Sequence, residues 1–322
     1  MAEVQENYIA GFWKRLFALL IDLLILSGVG FLLGLFFEST FVEIGNLGKL
    51  MGFVIALSYF GVMNSQIAKG QTIGKRIVKI QVVDAEGSHI NILKSLLRYS
   101  VLSIPFFLNG TYISFESDLI NLDYFILPIV LGGTLSISYL YLFNRSTRQS
   151  LHDLAVGSYV VNSESTVIAI YSIWKPHLAV VAAFYFALAV APVFLEDTFS
   201  ELAKSIPIKE MAITQEILSS EPLVKSVSVM DRTSTISSSV HGESTANYTN
   251  IHIYLMANDV ANPVLAERYA QIVIDSYVEA INKDSINITL SYGFDIGIWS
   301  QWYSHTHVFN PAELRAIKAS SI

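Results

Sequence analysis

The segment Leu16–Phe37 constrains the fold of this chain most strongly. It is apolar over roughly the 20 residues that an α-helix needs to cross the ~30 Å hydrocarbon core of a bilayer. Its one ionisable residue is Asp22, and the basic pair Lys14-Arg15 precedes it. No small-residue cleavage site follows a short apolar core, so we interpret the run as a retained helix rather than a removed signal peptide. The segment predicts a membrane-spanning helix that carries a carboxylate.

The composition agrees with a membrane protein. The chain is 52% hydrophobic and 15% charged, whereas soluble domains carry about 25% charged residues. Cysteine is absent, which excludes disulfides and thiolate metal sites. Because basic and acidic residues are segregated along the chain, the net charge of −7 describes no single surface.

Four further apolar runs follow the first. They are Gly48–Ala68, Leu96–Leu108, Tyr124–Phe143 and His177–Leu195. The run that begins at Leu96 is short and contains Pro105, so it crosses only if it extends through Phe115. Pro128 and Gly132-Gly133 are the expected kink points of the next run. The sequence predicts an α-helical polytopic membrane protein with about five transmembrane helices.

Basic residues near the helix ends set the expected orientation. They lie before the first run, between the second and third, and between the fourth and fifth, whereas the intervening loops are mainly acidic. This distribution predicts a cytoplasmic N-terminus and a periplasmic or extracellular location after Glu196, in a bacterial-type inner membrane. If the third run fails to cross, everything after it inverts and the basic Arg145–Lys175 loop lies outside, which the charge rule disfavours.

Beyond Glu196 the pattern becomes that of a soluble domain. Thr198–Leu218 predicts a stalk helix interrupted at Pro207, and Pro263 begins a helix that runs through Asn282. Alternating apolar and polar residues predict strands, at Leu223–Val229, Ile251–Leu255, Ile286–Leu290 and Gly293–Phe309. The Ser/Thr-rich stretch Thr233–Asn250 is expected to be a strand edge and a long loop. We therefore expect a membrane domain at 1–162, a linker with the fifth helix at 163–196, and a small α+β domain at 197–322.

Two polar segments between the apolar runs resemble each other. When Gln71–Val83 is aligned with Gln149–Val161, hydroxyl and β-branched positions coincide, and Lys75 falls opposite Asp153. Each segment follows a run that returns to the basic side of the membrane. Two duplicated helical hairpins would explain this, but chance similarity of two amphipathic loops remains an alternative.

Asp22 is the most informative single residue. A carboxylate within a spanning helix costs about 2.5–3.5 kcal/mol on insertion scales, so it must face protein or water and find a partner or a proton. It is either an ion or proton site, or half of a structural ion pair. Arg15 lies on the same helix face but ~10.5 Å away along the axis, so direct contact is marginal. Asp153 is the better partner for Arg15, since both are expected at the cytoplasmic boundary.

Other candidate groups have more ordinary alternatives. Lys75 and Arg98 belong to the basic inner face, and His152 is either a proton shuttle beside Asp153 or a hydrogen-bonding residue at a helix end. His305 and His307 lie on one face of a predicted strand, but with no third ligand nearby we expect no metal site.

Several classes of function lack support in the sequence. No phosphate-binding glycine loop or nucleophile elbow occurs in the required context, so we expect no enzymatic activity and no cofactor. The basic residues lie at a membrane face, where anionic lipids explain them, so no nucleic-acid binding is expected.

Taken together, these motifs resemble the RDD family of integral membrane proteins, named for one arginine and two aspartates. The matching segments are Arg15 and Asp22 in the first run, Gly70–Arg76 followed by Val82-Val83-Asp84, and Arg148–Asp153. The likeness covers roughly residues 8–162. It implies that Arg15, Asp22 and Asp153 are the defining residues, and it implies transport, with sodium/proton exchange suggested for some members. The fifth run and the outer domain lie beyond the family pattern.

Two hypotheses follow. In the first, the protein transports a small cation or proton, with Asp22 as the protonatable or cation-binding group and Arg15 and Asp153 as a cytoplasmic gate or brace. In the second, it is a membrane scaffold or sensor whose outer domain binds a partner protein. Both place it in the lipid bilayer, and neither specifies an oligomeric state.

Overall fold

The computed structural model describes residues 8–110, 126–164, 172–205, 207–238 and 242–320. Over these residues the chain forms two compact units. The first is drawn from Met1–Phe36, Asn46–Glu196 and Asp295–Trp299, and the second from Phe37–Gly45, Asp197–Phe294 and Ser300–Ile322. This division differs from the expected domain boundaries in two short stretches. Residues 37–45 group with the second unit, and residues 295–299 group with the first.

Two apolar helices open the chain, α1 (Phe12–Ile44) and α2 (Gly48–Met63). Helix α1 passes through a non-helical residue, Phe37, with φ −127° and ψ 23°. Many of its large apolar side chains are exposed, including Leu24 at 73% and Phe36 at 79%. Such a surface is unfavourable in water and typical of contact with lipid. The stretch Phe12–Met63 is long and apolar enough to cross a membrane.

Two short elements and a third long helix come next: α3 (Ile73–Ile77), β1 (Ile80–Val83) and α4 (Ile92–Leu108). Asn91 begins α4, because its side chain accepts a hydrogen bond of 2.8 Å from the N–H of Lys94. Pro105 lies inside the helix without ending it. The expected extension of this span through Phe115 falls partly outside the described residues.

The rest of the first unit contains α5 (Gly133–Phe143), α6 (Leu151–Val156), β2 (Tyr159–Asn162) and most of α7 (Lys175–Ser205). A π-helical turn precedes α5, where the sequence predicted a kink. Lys175–Leu195 also meets the length and composition of a membrane span, whereas Pro128–Phe143 is apolar but shorter.

Strands β1 and β2 pair antiparallel, and their register relates the two similar segments. Val82 lies opposite Val160, and these are the two residues that the sequence alignment matched. An antiparallel pair in which a residue faces its own counterpart has a local pseudo-two-fold axis at that point. The two segments are therefore arranged as symmetric copies around the ladder.

Their internal hydrogen bonds match as well. The side-chain amide of Gln71 donates to the carbonyl of Ile80 at 3.0 Å, and that of Gln149 donates to the carbonyl of Ser158 at 2.9 Å. A left-handed residue follows each short helix, Lys79 with φ 57° and Gly157 with φ 66°, and the alignment matches these two positions. This shared geometry supports duplication over chance similarity.

The second unit is an α+β fold. It contains α8 (Ile208–Ser219), β3 (Val224–Ser238), β4 (Gly242–Leu255), α9 (Pro263–Ser276), β5 (Ser285–Asp295), β6 (Ser300–Phe309) and α10 (Pro311–Ser320). The sheet order is β3-β4-β5-β6, with β3 and β4 antiparallel and β4 and β5 parallel. Helix α9 lies in the parallel crossover, as such a connection requires.

The core of this unit lies between its sheet and its helices. Ile253, Ile288 and Leu290 from the sheet pack in one buried cluster with Tyr269 and Val273 from α9. This arrangement buries one face of the sheet and one stripe of each helix, which is the usual way in which an α+β domain forms its core.

Three expectations for this half of the chain need correction or comment. The stretch Thr233–Asn250 is not a long loop but most of the β3–β4 hairpin, since β-branched threonines suit strands and polar pairs such as Thr233–Asn247, 2.7 Å apart, bridge them. The expected stalk helix is divided between the end of α7 and α8. The imidazole of His307 lies 2.9 Å from the carbonyl of Val260, and the described residues contain no group of three potential metal ligands.

Candidate functional site

Asp153 lies at the centre of the site and is fully buried. It occupies the third position of α6, and its carboxylate accepts a 3.2 Å hydrogen bond from the backbone N–H of Ser150 at the helix start. This is one half of a capping box, which fixes the side chain with respect to its own helix. The local sequence Ser-x-x-Asp therefore contributes to the position of the carboxylate through a contact within its own helix.

Two guanidinium groups converge on this carboxylate. Arg15 of α1 approaches one oxygen at 2.5 Å, and Arg98 of α4 donates to the other from two nitrogens at 2.7 and 2.9 Å. Arg15 also donates to the carbonyl of Arg148. Burial alone would raise the pKa of Asp153, but the neighbouring charges, Arg98 foremost, outweigh burial and hold that pKa well below its usual range. Asp153 is a permanent anion that joins α1, α4 and α6.

Asp22 has different partners from those of Asp153. One of its oxygens accepts hydrogen bonds from the hydroxyl of Tyr59 at 2.7 Å and from the N–H of Gly74 at 2.8 Å. Within the described part of the chain, no cationic side chain lies within salt-bridge distance of it. A side chain at position 74 would prevent this contact, because an added Cβ would lie 2.1 Å from the carbonyl oxygen of Ala18. Asp22 is thus held by neutral donors at a close approach of α3 to α1.

Lys75 occupies in α3 the position that Asp153 occupies in α6. Its ammonium group donates to the side-chain carbonyl of Asn64. Burial lowers the pKa of Lys75 to about 7, Arg98 and Arg15 lower it as well, and Asp22 and Asp153 act in the opposite direction. The same position therefore holds a fixed charge in one copy of the repeat and a titratable charge in the other.

His152 lies beside Asp153, with 3.6 Å between Nε2 and the nearer carboxylate oxygen. Its Nδ1 is buried and has no hydrogen-bond partner among the described residues. Burial lowers the pKa of His152 to about 3, so the imidazole is neutral at pH 7. A neutral ring with such a pKa is poorly suited to shuttle protons near neutral pH.

These groups surround a cavity of about 620 Å³, and all of its lining residues belong to the first unit. Its polar lining includes Arg15, Asp22, Asn64, Lys75, Arg98 and His152. Its apolar lining includes Leu19, Leu23, Leu26, Leu102, Phe106 and Phe107. The volume falls within the range of about 300–1,000 Å³ that is common for ligand pockets.

The structure thus brings the predicted site residues together in two ways. Arg15, Arg98 and Asp153 form one ion cluster, and Asp22, Lys75 and His152 line the cavity next to it. Sequence reasoning missed Tyr59 and Asn64. The available signal was their polarity within, and at the end of, the second apolar run.

An apolar helical unit with buried acidic and basic groups around a cavity is typical of a membrane protein. The family model described as "RDD family" matches residues 9–157. The "Uncharacterized protein YckC" of Bacillus subtilis (strain 168) is 29% identical over 151 residues, which are 47% of this chain and 83% of that protein. No solved structure matches the chain. Residues 9–157 are therefore similar to the RDD family of membrane proteins, as the motif residues predicted, and the sheet of the second unit lies outside the matched residues.

Replacing Asp153 with asparagine should destabilise the protein strongly. The variant leaves two buried guanidinium groups without a counter-charge, which typically costs about 3–5 kcal/mol, or on the order of 10 °C in melting temperature. Thermal unfolding in detergent measures it. The matched control is Glu164→Gln, which breaks the exposed Lys79–Glu164 pair and should change the melting temperature by less than about 2 °C. Equal effects of the two variants would contradict the bracing role of Asp153.

The lowered pKa of Lys75 predicts a pH-dependent stability. Below about pH 7 the lysine is charged in both states, so the folded protein carries the full cost of burying the charge. Between about pH 7 and pH 10 the unfolded chain binds more protons, so this cost is progressively relieved as the pH rises. Lys75→Met should therefore raise the melting temperature most below pH 7, with the difference from wild type shrinking toward pH 10. A pH-independent difference, or the same pattern in the exposed-site control Lys79→Met, would refute this assignment.

Proposed function

We propose that the first unit is a proton-coupled membrane transporter. The solute binds in the cavity, and the proton is carried by the pair Asp22 and Lys75. The observation that carries this proposal is that an acid and a base with neutral hydrogen-bond partners face one cavity. A buried carboxylate within a membrane protein is a functional site by default.

The two aspartates differ in what a proton would do to them. Protonation of Asp153 would leave two buried guanidinium groups uncompensated, so its charge is held fixed. Protonation of Asp22 would break no salt bridge among the described residues, because the groups that donate to its carboxylate, Tyr59 and Gly74, are neutral. Asp22 therefore lacks the ion pairs that hold the charge of Asp153, and the pKa of Lys75 beside the same cavity is lowered to about 7.

Sodium is the less favoured solute on electrostatic grounds. The cluster around Asp153 contains two arginines and one carboxylate, so it adds a net positive charge next to the cavity. Among the described residues no three acidic or histidine side chains converge as cation ligands. The charges favour proton uptake coupled to an organic anion over sodium/proton exchange.

The proposed topology has five membrane crossings. Phe12–Met63 supplies the first two, α4 the third, the apolar run that ends with α5 the fourth, and α7 the fifth. The basic residues at alternate ends support a cytoplasmic N-terminus. On this topology α3, α6 and the β1–β2 ladder close the cytoplasmic side, and the second unit lies on the periplasmic or extracellular side.

A scaffold or sensor function is the second candidate. It is favoured by the second unit, which lies outside the family match and has a hydrophobic core of its own. In that case the second unit would bind a partner protein, and the charge of Asp22 would serve folding rather than transport.

Asp22→Asn should reduce proton flux at least about tenfold. Because the charge of Asp22 raises the pKa of Lys75, the variant removes one proton site and weakens the other. Purified protein in liposomes that contain a pH-sensitive dye is given a proton gradient, with either sodium chloride or sodium 1-decanesulfonate. The control is Glu86→Gln, which neutralises an exposed carboxylate in a turn.

Flux that is equal in the wild type and Asp22→Asn, with both proteins folded, would contradict the transport proposal and leave the scaffold function. Equal flux with the two salts would contradict coupling to the organic anion and favour sodium/proton exchange, because both salts supply the same sodium. Asp22→Glu, which keeps the charge, should retain part of the flux and separates loss of charge from loss of fold.

A further inference from the structure

We infer that the cavity binds an amphipathic anion, with its head group held by Lys75 and Arg98 and its apolar body against the leucine and phenylalanine wall. This inference names the solute class of the proposed transporter. As a statement about binding, it can be tested separately from transport.

The first argument is the charge around the cavity. Arg15 and Arg98 share the single carboxylate of Asp153, which leaves one positive charge in excess. Protonated Lys75 and Asp22 offset each other. An uncompensated charge in a poorly solvated site is costly, so a bound monoanion would complete the charge balance. A bound cation would increase the imbalance.

The second argument is the supply of free donors. Arg98 uses Nε and one terminal nitrogen on Asp153, and its other terminal nitrogen makes no hydrogen bond within the described part of the chain. The ammonium group of Lys75 has three donors, one of which binds Asn64. His152 lines the same cavity, and its buried Nδ1, which is an acceptor when the ring proton is on Nε2 beside Asp153, lacks a partner among the described residues. A buried polar atom without a partner, such as this Nδ1, is rare unless a ligand or water completes it.

The third argument is the apolar wall. Leu19, Leu23, Leu102 and Phe106 line the same cavity as the charged groups. An inorganic anion would satisfy the donors but leave this wall uncovered, whereas an alkyl chain buries apolar area at about 25 cal/mol per Å². The volume of about 620 Å³ accommodates a ligand with both parts.

Binding of such an anion is coupled to a proton. Lys75 is surrounded by Asp22 and Arg15 from α1, Asn64 from α2, Arg98 from α4 and Asp153 from α6. A new negative charge among these groups stabilises the protonated ammonium. A fraction of the protein takes up a proton when the anion binds near neutral pH, which is the coupling that a proton-driven carrier requires.

The test compares three probes on the full-length protein in a neutral maltoside detergent. 1-Decanesulfonate carries a permanent charge and an alkyl chain, 1-decanol carries the chain alone, and methanesulfonate carries the charge alone. We expect decanesulfonate to bind at least about tenfold more tightly than either of the others by isothermal titration calorimetry. Lys75→Met should weaken it about tenfold, Lys75→Arg should retain it, and the exposed-site control Lys79→Met should leave it unchanged.

Each alternative outcome is decisive. Equal affinity for decanol would remove the role of charge, and equal affinity for methanesulfonate would identify a site for small free anions; either result overturns the inference. Unchanged binding in Lys75→Met would do the same. Tight sulfonate binding without proton flux in liposomes would support this inference while contradicting the transport proposal.

Discussion

The carboxylate of Asp153 is the interaction on which the first unit depends. It is completely buried, it is fixed to its own helix by a capping box, and it accepts from arginines on two other helices. A buried carboxylate is tolerable only when its lone pairs are satisfied and its charge is matched. Here the positive charge exceeds the negative charge, because two guanidinium groups pair with one carboxylate. The surplus charge lies next to the cavity, so on the proposed function the same ion cluster both braces the fold and contributes to anion binding.

Duplication explains why a fixed charge and a titratable charge occupy equivalent places. The copies of the short helix–strand segment meet at Val82 and Val160, so Lys75 and Asp153 have related positions in the two halves. The neighbouring arginines balance the negative charge of Asp153 and keep its carboxylate ionised. Lys75 is close to losing its charge, because burial and the arginines oppose the protonated form while Asp22 and Asp153 favour it. The half that contains Asp153 therefore braces the fold. The half that contains Lys75 is suited to bind and release a proton beside the cavity.

Local features of the sequence predicted much of this architecture. Apolar run lengths indicated the helices, proline and glycine indicated the π-helical turn before α5, and the shared cytoplasmic boundary suggested the pairing of Arg15 with Asp153. The bond from Gly74 to Asp22 could not be predicted, since it depends on a helix–helix approach that has no local signature. The β3–β4 hairpin was misassigned for a related reason. Its serines and threonines lack the apolar alternation by which strands are recognised, and cross-strand pairing decides their conformation.

The central claim is that an anion in the cavity and a proton on Lys75 bind together. Titration of the wild type with 1-decanesulfonate at pH 8, in two buffers of different ionisation enthalpy, measures the protons taken up per ligand bound. Because the sulfonate does not titrate, any uptake comes from the protein. The account predicts uptake approaching one proton per ligand in the wild type and close to none in Lys75→Met. Binding of the sulfonate without proton uptake in the wild type would contradict it.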